Sequence, residues 1–292
     1  MTSNRWADLD RPPLNETALR RALLTDDSLW TSLDVVANTG STNSDLVARA
    51  REGAAEGAVL VAEEQSAARG RLDRRWSAPA RSGLFLSVLL RPAEVPVERW
   101  GWLPLLAGVA TAAAVSRTAG VDTGLKWPND LLVTVPEDSD KLRPGETPPG
   151  SERKAAGILA ERAGEDGIVL GIGLNVTLTE QELPVPTAAS LALAGAKVTD
   201  RDPLLRAVLR SLGEWYGAWR AAEGDAHVCR LQETYAAGCA TLGRTVRVEL
   251  PGGQALVGEA AAIDGDGRLV VDTGERRETV AAGDVVHVRA TL

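Results

Sequence analysis

Sulfur, histidine and single-ring aromatics are scarce in this chain of 292 residues, which has two cysteines, one methionine, two histidines, one phenylalanine and two tyrosines. Cys229 and Cys239 are too few for a disulfide framework. With only His227 and His287 beside them they do not form a zinc ligand set, so structural or incidental roles are expected. No apolar run reaches the length of about 18 residues that a membrane span needs. The polar start, Met1 to Leu14, carries Asp8, Asp10, Pro12 and Pro13 and does not read as a signal peptide. A reduced, cytoplasmic protein with no membrane partner is expected. Positive charge is also in deficit, with 32 Lys+Arg against 40 Asp+Glu and a net charge of -8. That balance argues against non-specific nucleic-acid binding, which needs a positive surface. Nucleotide fingerprints are absent as well. Gly171, Ile172 and Gly173 lack the third glycine and the following helix of a dinucleotide turn, and no Walker-type ending is present.

The chain is long enough for one large domain and one small one. A helix is expected over 15–29 and a strand over 30–37. Gly40 breaks that strand, and a second helix runs to about Gly53, with Thr42 and Asp45 resembling an N-terminal cap pair. Val59 to Ala62 and Gly83 to Leu90 read as strands, and Leu103 to Ala119 as a buried, alanine-rich helix. Pro128 forbids one continuous strand through Leu125 to Val133, so a strand, turn and strand are expected there. Residues 136–153 are polar and proline-rich and read as a flexible insert. Lys154 to Glu161 and Ile168 to Val176 look like paired strands, followed by helices near 188–194, 201–222 and 226–237, with Trp215 and Trp219 on one helical face. After Gly243 five short β-type runs between glycine-rich turns suggest a small barrel. The expected division is an extension over 1–29, a catalytic domain over 30–240 and a C-terminal domain over 241–292.

One stretch stands out against the acidic background. Arg69, Gly70, Arg71, Leu72, Asp73, Arg74, Arg75 and Trp76 pack four arginines and a glycine into eight residues. Guanidinium forks suit phosphate and carboxylate, and glycine lets a backbone approach a ligand closely. Other polar clusters sit where apolar runs stop. They are Gly40 to Asn43, Glu64 and Gln65, Lys126 with Asn129 and Asp130, Lys154 beside Gly157 and Glu161, and Asn175. Each has an ordinary structural explanation alone, as a cap, a turn or a strand end. Together they could line one pocket for a small polyanionic ligand.

These motifs, in this order, resemble those of the bacterial biotin–protein ligases. The likeness covers roughly residues 30–290. It rests on Gly40 to Asn43, Glu64 and Gln65, Arg69 to Trp76, Gly124 to Asp130, Lys154 to Glu161, Gly171 to Asn175, Ser190 and Leu191. In the tail it adds Leu242 to Arg244, Gly258, Ile263, Asp264, Gly267 and Gly283 to Val285. It implies an α+β fold, with a class II synthetase-like catalytic domain of mixed sheet and flanking helices and an SH3-like C-terminal β-barrel. It also implies ATP-dependent activation of biotin to biotinyl-5′-AMP, with Mg²⁺, and transfer to a lysine of a biotin carboxyl carrier domain of acyl-CoA or pyruvate carboxylases.

By the same resemblance Lys154, Arg69, Arg71 and Lys126 are the catalytic cations. Ser41, Thr42, Asn43, Gln65, Arg69, Gly70, Arg71, Lys154 and Gly157 bind biotin. Arg69, Arg71, Arg74, Trp76, Lys126, Asn129 and Asn175 bind ATP or the adenylate, and Asp130 is a metal ligand. The chain departs from the family's loop at Ala68 and Asp73, which stand where glycines are common. About thirty residues precede the first core strand, too few for the DNA-binding domain of some relatives, so no repressor role is expected. A lipoate–protein ligase is the alternative enzyme, and a biotin-binding protein without catalysis the non-enzyme alternative.

Overall fold

The computed structural model describes residues 11–71, 74–136, 150–250, 254–281 and 283–287. Asp73 and most of the expected insert, 137–149, lie outside the described residues.

A seven-stranded mixed sheet forms the body of the protein. Its strands are β1 (Ser32–Val36), β2 (Ala58–Ala62), β3 (Gly83–Leu90), β4 (Thr123–Lys126), β5 (Asp130–Pro136), β6 (Gly150–Arg162) and β7 (Ile168–Asn175), in the order β1-β2-β3-β7-β6-β5-β4. Only β1 and β2 run parallel. β2 and β3 are buried throughout, which is why they read as continuous apolar runs and not as alternating ones.

Helices cover both faces. On one face α1 (Glu16–Leu23), α3 (Trp102–Ala119), α4 (Arg201–Ala221) and α5 (Leu231–Gly238) close the larger core around Trp102, Trp127, Tyr216, Trp219 and Tyr235. α3 has no charge before Arg117 because most of its surface is buried, as the sequence predicts. On the other face α2 (Thr42–Arg51) packs Leu46 and Ala50 against Ala58, Leu60, Leu89 and Val169. No helix among the described residues is long and apolar enough to cross a membrane.

Several expectations need correction. The first turn of α2 is capped by Ser41, whose hydroxyl accepts from Ser44 N–H at 3.4 Å, and not by Thr42. Residues 191–195 form a turn instead of a helix. The last helix begins only at Leu231, because Arg230 takes a left-handed φ of 62° after a turn held by Asp225.

The largest correction concerns the C-terminal strands β8 (Thr245–Glu249), β9 (Ala255–Ile263), β10 (Leu269–Asp272), β11 (Arg277–Val280) and β12 (Asp284–His287). Their number matches expectation, but they form an open antiparallel sheet in the order β11-β10-β9-β8-β12 and do not close into a barrel. β12 takes the free edge of β8, and β11 stays at the opposite edge without a second partner among the described residues. Arg277 and Glu278 put charge on that edge, a common way of leaving a strand unpaired.

Candidate functional site

On the α2 side of the large sheet, three glycines leave a patch of backbone without side chains. Gly171 and Gly173 share one face of β7, and Gly157 pairs with Gly173 across β6. A Cβ on Gly173 would lie 2.9 Å from Trp76 Cε2, and one on Gly157 3.1 Å from Trp76 Cζ3. A Cβ on Gly171 would lie 2.1 Å from Asn43 Oδ1. The indole and the amide therefore rest on the sheet only because glycine is there.

Around this floor lies a cavity of about 1700 Å³. Every site residue expected from the sequence lines it: Ser41, Thr42, Asn43, Gln65, Arg69, Gly70, Arg71, Arg74, Trp76, Lys126, Asn129, Asp130, Lys154, Gly157 and Asn175. Five chain segments bring them together, namely the start of α2, the segment from Gln65 through the arginine stretch, the β4–β5 turn, and the adjoining strands β6 and β7. The turn contains a cis Trp127–Pro128 peptide.

Lys154 reaches the cavity through a β-bulge. The β5–β6 register passes from Leu131 opposite Ala156 to Leu132 opposite Lys154, leaving Ala155 as the extra residue. Three residues along a regular strand would place Lys154 and Gly157 on opposite faces. With the bulge both face the cavity, and a Cβ on Gly157 would stand 3.2 Å from Lys154 Nζ. The ammonium lies 2.5 Å from Asp130 Oδ1, off the axis of a good hydrogen bond, and 5.6 Å from the Trp76 ring centroid.

The arginines are anchored at separate points. Gly70 N–H donates to Arg74 O at 2.6 Å and Trp76 N–H to Ala68 O at 3.0 Å, drawing the ends of the stretch together. Arg69 pairs with Glu161 at 3.1 Å, and Arg71 donates to Asn129 Oδ1 at 3.4 Å. Arg74 pairs with Asp284 of the C-terminal sheet, and that bond raises its pKa. Burial lowers the pKa of Arg71, against the attraction of Asp130 and Asp284.

The neutral residues divide into two kinds. Gln65 Oε1 accepts from Thr42 N–H at 2.8 Å, leaving Gln65 Nε2 without a partner among the described residues. Asn129 Nδ2 donates to Ile158 O and Asn175 Nδ2 to Ala189 O, both at 2.9 Å, so these amides also fasten neighbouring backbone. Asn43 has both amide atoms committed inside the protein, with Nδ2 on Glu161 and Leu159 O and Oδ1 on Ser87.

Sequence reasoning gave Ser87 no role, matched Asp284 without its pairing to Arg74, and missed the pairing roles of Glu161 and Glu152. Ser87 left one trace, a lone hydroxyl in the apolar run of β3. Glu152 binds Arg244 at 2.5 and 2.8 Å, beside His287. Burial and the nearby Lys126 and Arg244 push the His287 pKa down to about 4.

The donor set suits a metal that arrives with its ligand. Among the described residues no three His, Cys, Asp or Glu side chains are grouped to hold an ion. Mg²⁺ bound to a nucleotide needs only one or two protein carboxylates besides phosphate and water oxygens, and Asp130 can supply one.

Comparison with known proteins identifies the family. The model of the biotin/lipoate A/B protein ligase family matches residues 37–176, and that of the biotin protein ligase C-terminal domain matches 241–288. The chain belongs to the biotin protein ligases within that family. It is 47% identical to a biotin–[acetyl-CoA-carboxylase] ligase of Mycobacterium tuberculosis, over 96% of this chain and 97% of that one. It is 30% identical to the bifunctional ligase/repressor BirA of Bacillus subtilis, over 86% of this chain and 72% of that protein. Among solved structures, a biotin protein ligase from Aquifex aeolicus in complex with biotin and ATP superposes with a TM-score of 0.70. That match has 25% identity and covers 89% of this chain and all of the other.

Proposed function

We propose that this chain activates biotin with ATP and transfers it to a lysine of a biotin carboxyl carrier domain. The observation that carries the reading is the meeting of Lys154, Trp76 and the arginine stretch over one glycine floor. The relatives' names and the biotin and ATP of the Aquifex complex point to the same substrates.

In the first step a biotin carboxylate oxygen attacks the α-phosphorus of ATP. The bond from that phosphorus to the bridging oxygen breaks, and pyrophosphate leaves. Two anions must come together, so cations placed for the transition state supply most of the help the protein can give. Lys154 bridges the carboxylate and the α-phosphate oxygens, and Arg69, Arg71 and Lys126 take the growing charge on phosphate. Ser41, Thr42 and Gln65 hold the ring end of biotin by hydrogen bonds, with Asn43 behind them, while Gly70 and Gly157 permit close backbone approach. Arg74, Trp76, Asn129 and Asn175 border the nucleotide end. Mg²⁺, with Asp130 as its protein ligand, would add charge neutralisation at the phosphates. In the second step the carrier lysine amine attacks the carbonyl carbon, AMP departs with the anhydride oxygen, and an amide remains. No nucleophile from this chain is needed in either step. We read 30–240 as the catalytic unit and 241–292 as an appended unit that reaches the cavity through Arg244, Asp284 and His287.

The test is pyrophosphate release from Mg-ATP with biotin or with lipoate, followed by transfer of labelled biotin to a carrier domain. Release and transfer with biotin are expected. Release with lipoate alone would reassign the substrate, and biotin binding without release would leave a binding protein.

A further inference from the structure

Behind the cavity wall a chain of hydrogen bonds fixes where one hydroxyl proton points. Asn43 Nδ2 stands 2.7 Å from Glu161 Oε2 and 3.3 Å from Leu159 O, two groups that can only accept. The amide nitrogen must therefore lie on that side, and Asn43 Oδ1 faces Ser87 Oγ at 2.6 Å. An amide oxygen cannot donate, so Ser87 spends its single proton on Asn43. Ser87 Oγ also lies 2.7 Å from Thr42 Oγ1, and with its own proton used it can only accept there. The Thr42 proton thus points inward. Gln65 Oε1, 3.2 Å from Thr42 Oγ1, is the weaker acceptor because it already holds Thr42 N–H. The lone pairs of Thr42 Oγ1 are what remains for the cavity that Thr42 lines.

We infer that Ser87 and Asn43 are specificity-determining positioning residues, which make Thr42 an obligatory acceptor and so select a ligand presenting an N–H donor to it. The inference rests on the biotin reading, in which that donor is a ureido N–H. It explains three otherwise unrelated features: a buried serine in an apolar strand, an asparagine whose amide is committed to protein partners, and glycine at 171. It also gives Glu161 a second task, since the carboxylate that pairs with Arg69 fixes the far end of the chain.

The test is calorimetric titration of the full chain with biotin and with its two cyclic-carbamate analogues, each having one ureido N–H replaced by oxygen. The decisive quantity is the ratio of the Kd of the weaker-binding analogue to that of biotin. In the unaltered chain a ratio of about 100 or more is expected, because an acceptor then faces an acceptor in a buried site. In Ser87→Ala the Thr42 hydroxyl is free to turn, and the ratio should fall about ten-fold. Asn43→Ala, which frees the Ser87 proton, should act in the same direction if Ser87→Ala fails to fold. Glu161→Gln should keep the ratio, since its amide oxygen still accepts from Asn43. An unchanged ratio in folded Ser87→Ala, or equal weakening of biotin and analogue, overturns the inference alone. Failure of the unaltered chain to bind biotin overturns the functional reading and this inference with it.

Discussion

Lys154 Nζ stands 2.5 Å from Asp130 Oδ1, and both side chains face the cavity. An incoming carboxylate must draw the ammonium away from a partner it already has. Lys154→Ala should lower biotin-dependent pyrophosphate release by about 10³-fold or more while the protein stays folded. Asp130→Asn removes the competitor, so biotin affinity without nucleotide should rise about three-fold, on the scale of a partly exposed ion pair. Titration calorimetry reads the second effect. Unchanged affinity in that variant would mean that the pair does not oppose ligand entry.

The glycine floor yields a steric prediction. Gly173→Ala would put a methyl 2.9 Å from the Trp76 ring, closer than such contacts tolerate. The indole must lift away, losing its seat beside Lys154. Dissociation of biotinyl-AMP should then quicken about ten-fold, a loss typical of an overpacked contact. Gly217→Ala is the control. It sits inside α4 with nothing within 4 Å of the added carbon, so it should leave dissociation unaltered.

These two contacts mark where the sequence stops being legible. The arginine stretch, the strand pairs and α3 follow from composition and periodicity, because each is a local property. The Ala155 bulge does not, since alternation places Lys154 and Gly157 on opposite faces and only the pairing with β5 reverses this. The closed barrel failed for a related reason. Five strands can be counted along the chain, but whether β11 meets β12 depends on which edge each one finds. Ser87 was visible as a hydroxyl among apolar residues, yet its partners Thr42 and Asn43 lie 45 and 44 positions away. The turn at 191–195 is set by long-range backbone bonds such as Leu191 N–H to Asn175 O, which no local propensity encodes.

Acid should weaken the join between the two sheets. His287 sits beside Thr241 Oγ1 at 3.1 Å and among Lys126, Arg244 and Glu152, and its folded pKa is about 4 against an ordinary 6.5. Because the folded value is depressed, the unfolded chain binds the extra proton first. The contribution of neutral His287 to stability is complete above pH 6.5 and lost as pH falls towards 4. Glu182 is held near pKa 2 chiefly by its bond to Arg11, so its share is present above pH 4.5 and lost as pH falls towards 2. Urea midpoints should therefore decline in two successive windows, and His287→Asn should flatten the upper one. His287 can be followed by NMR, because His227 is the only other histidine. A ring titrating near pH 6.5 in the folded protein would refute the assignment.

Beneath the site a buried ion pair ties the N-terminal segment to the sheet. Arg201 bonds Glu63 at 2.5 Å, with side-chain exposures of 5% and 7%. The same guanidinium donates to Pro12 O at 2.5 Å and Gly83 O at 3.3 Å, and Glu63 Oε1 accepts from Leu14 N–H at 2.6 Å. Glu63 ends the run from β2 that leads directly to Gln65, so the pair also supports the wall that Gln65 and Thr42 share. Removing one partner strands a charge away from water. Glu63→Leu or Arg201→Met alone should each cost about 3–5 kcal/mol. Replacing both with apolar residues of similar volume, Glu63→Leu with Arg201→Met, should cost much less than the two single losses combined. Urea denaturation of the four proteins closes the cycle. Additive losses would show that the two charges act independently. Strong non-additivity, with biotin affinity weakened in Glu63→Leu and partly recovered in the double variant, would show that the pair carries both the N-terminal segment and the Gln65 wall.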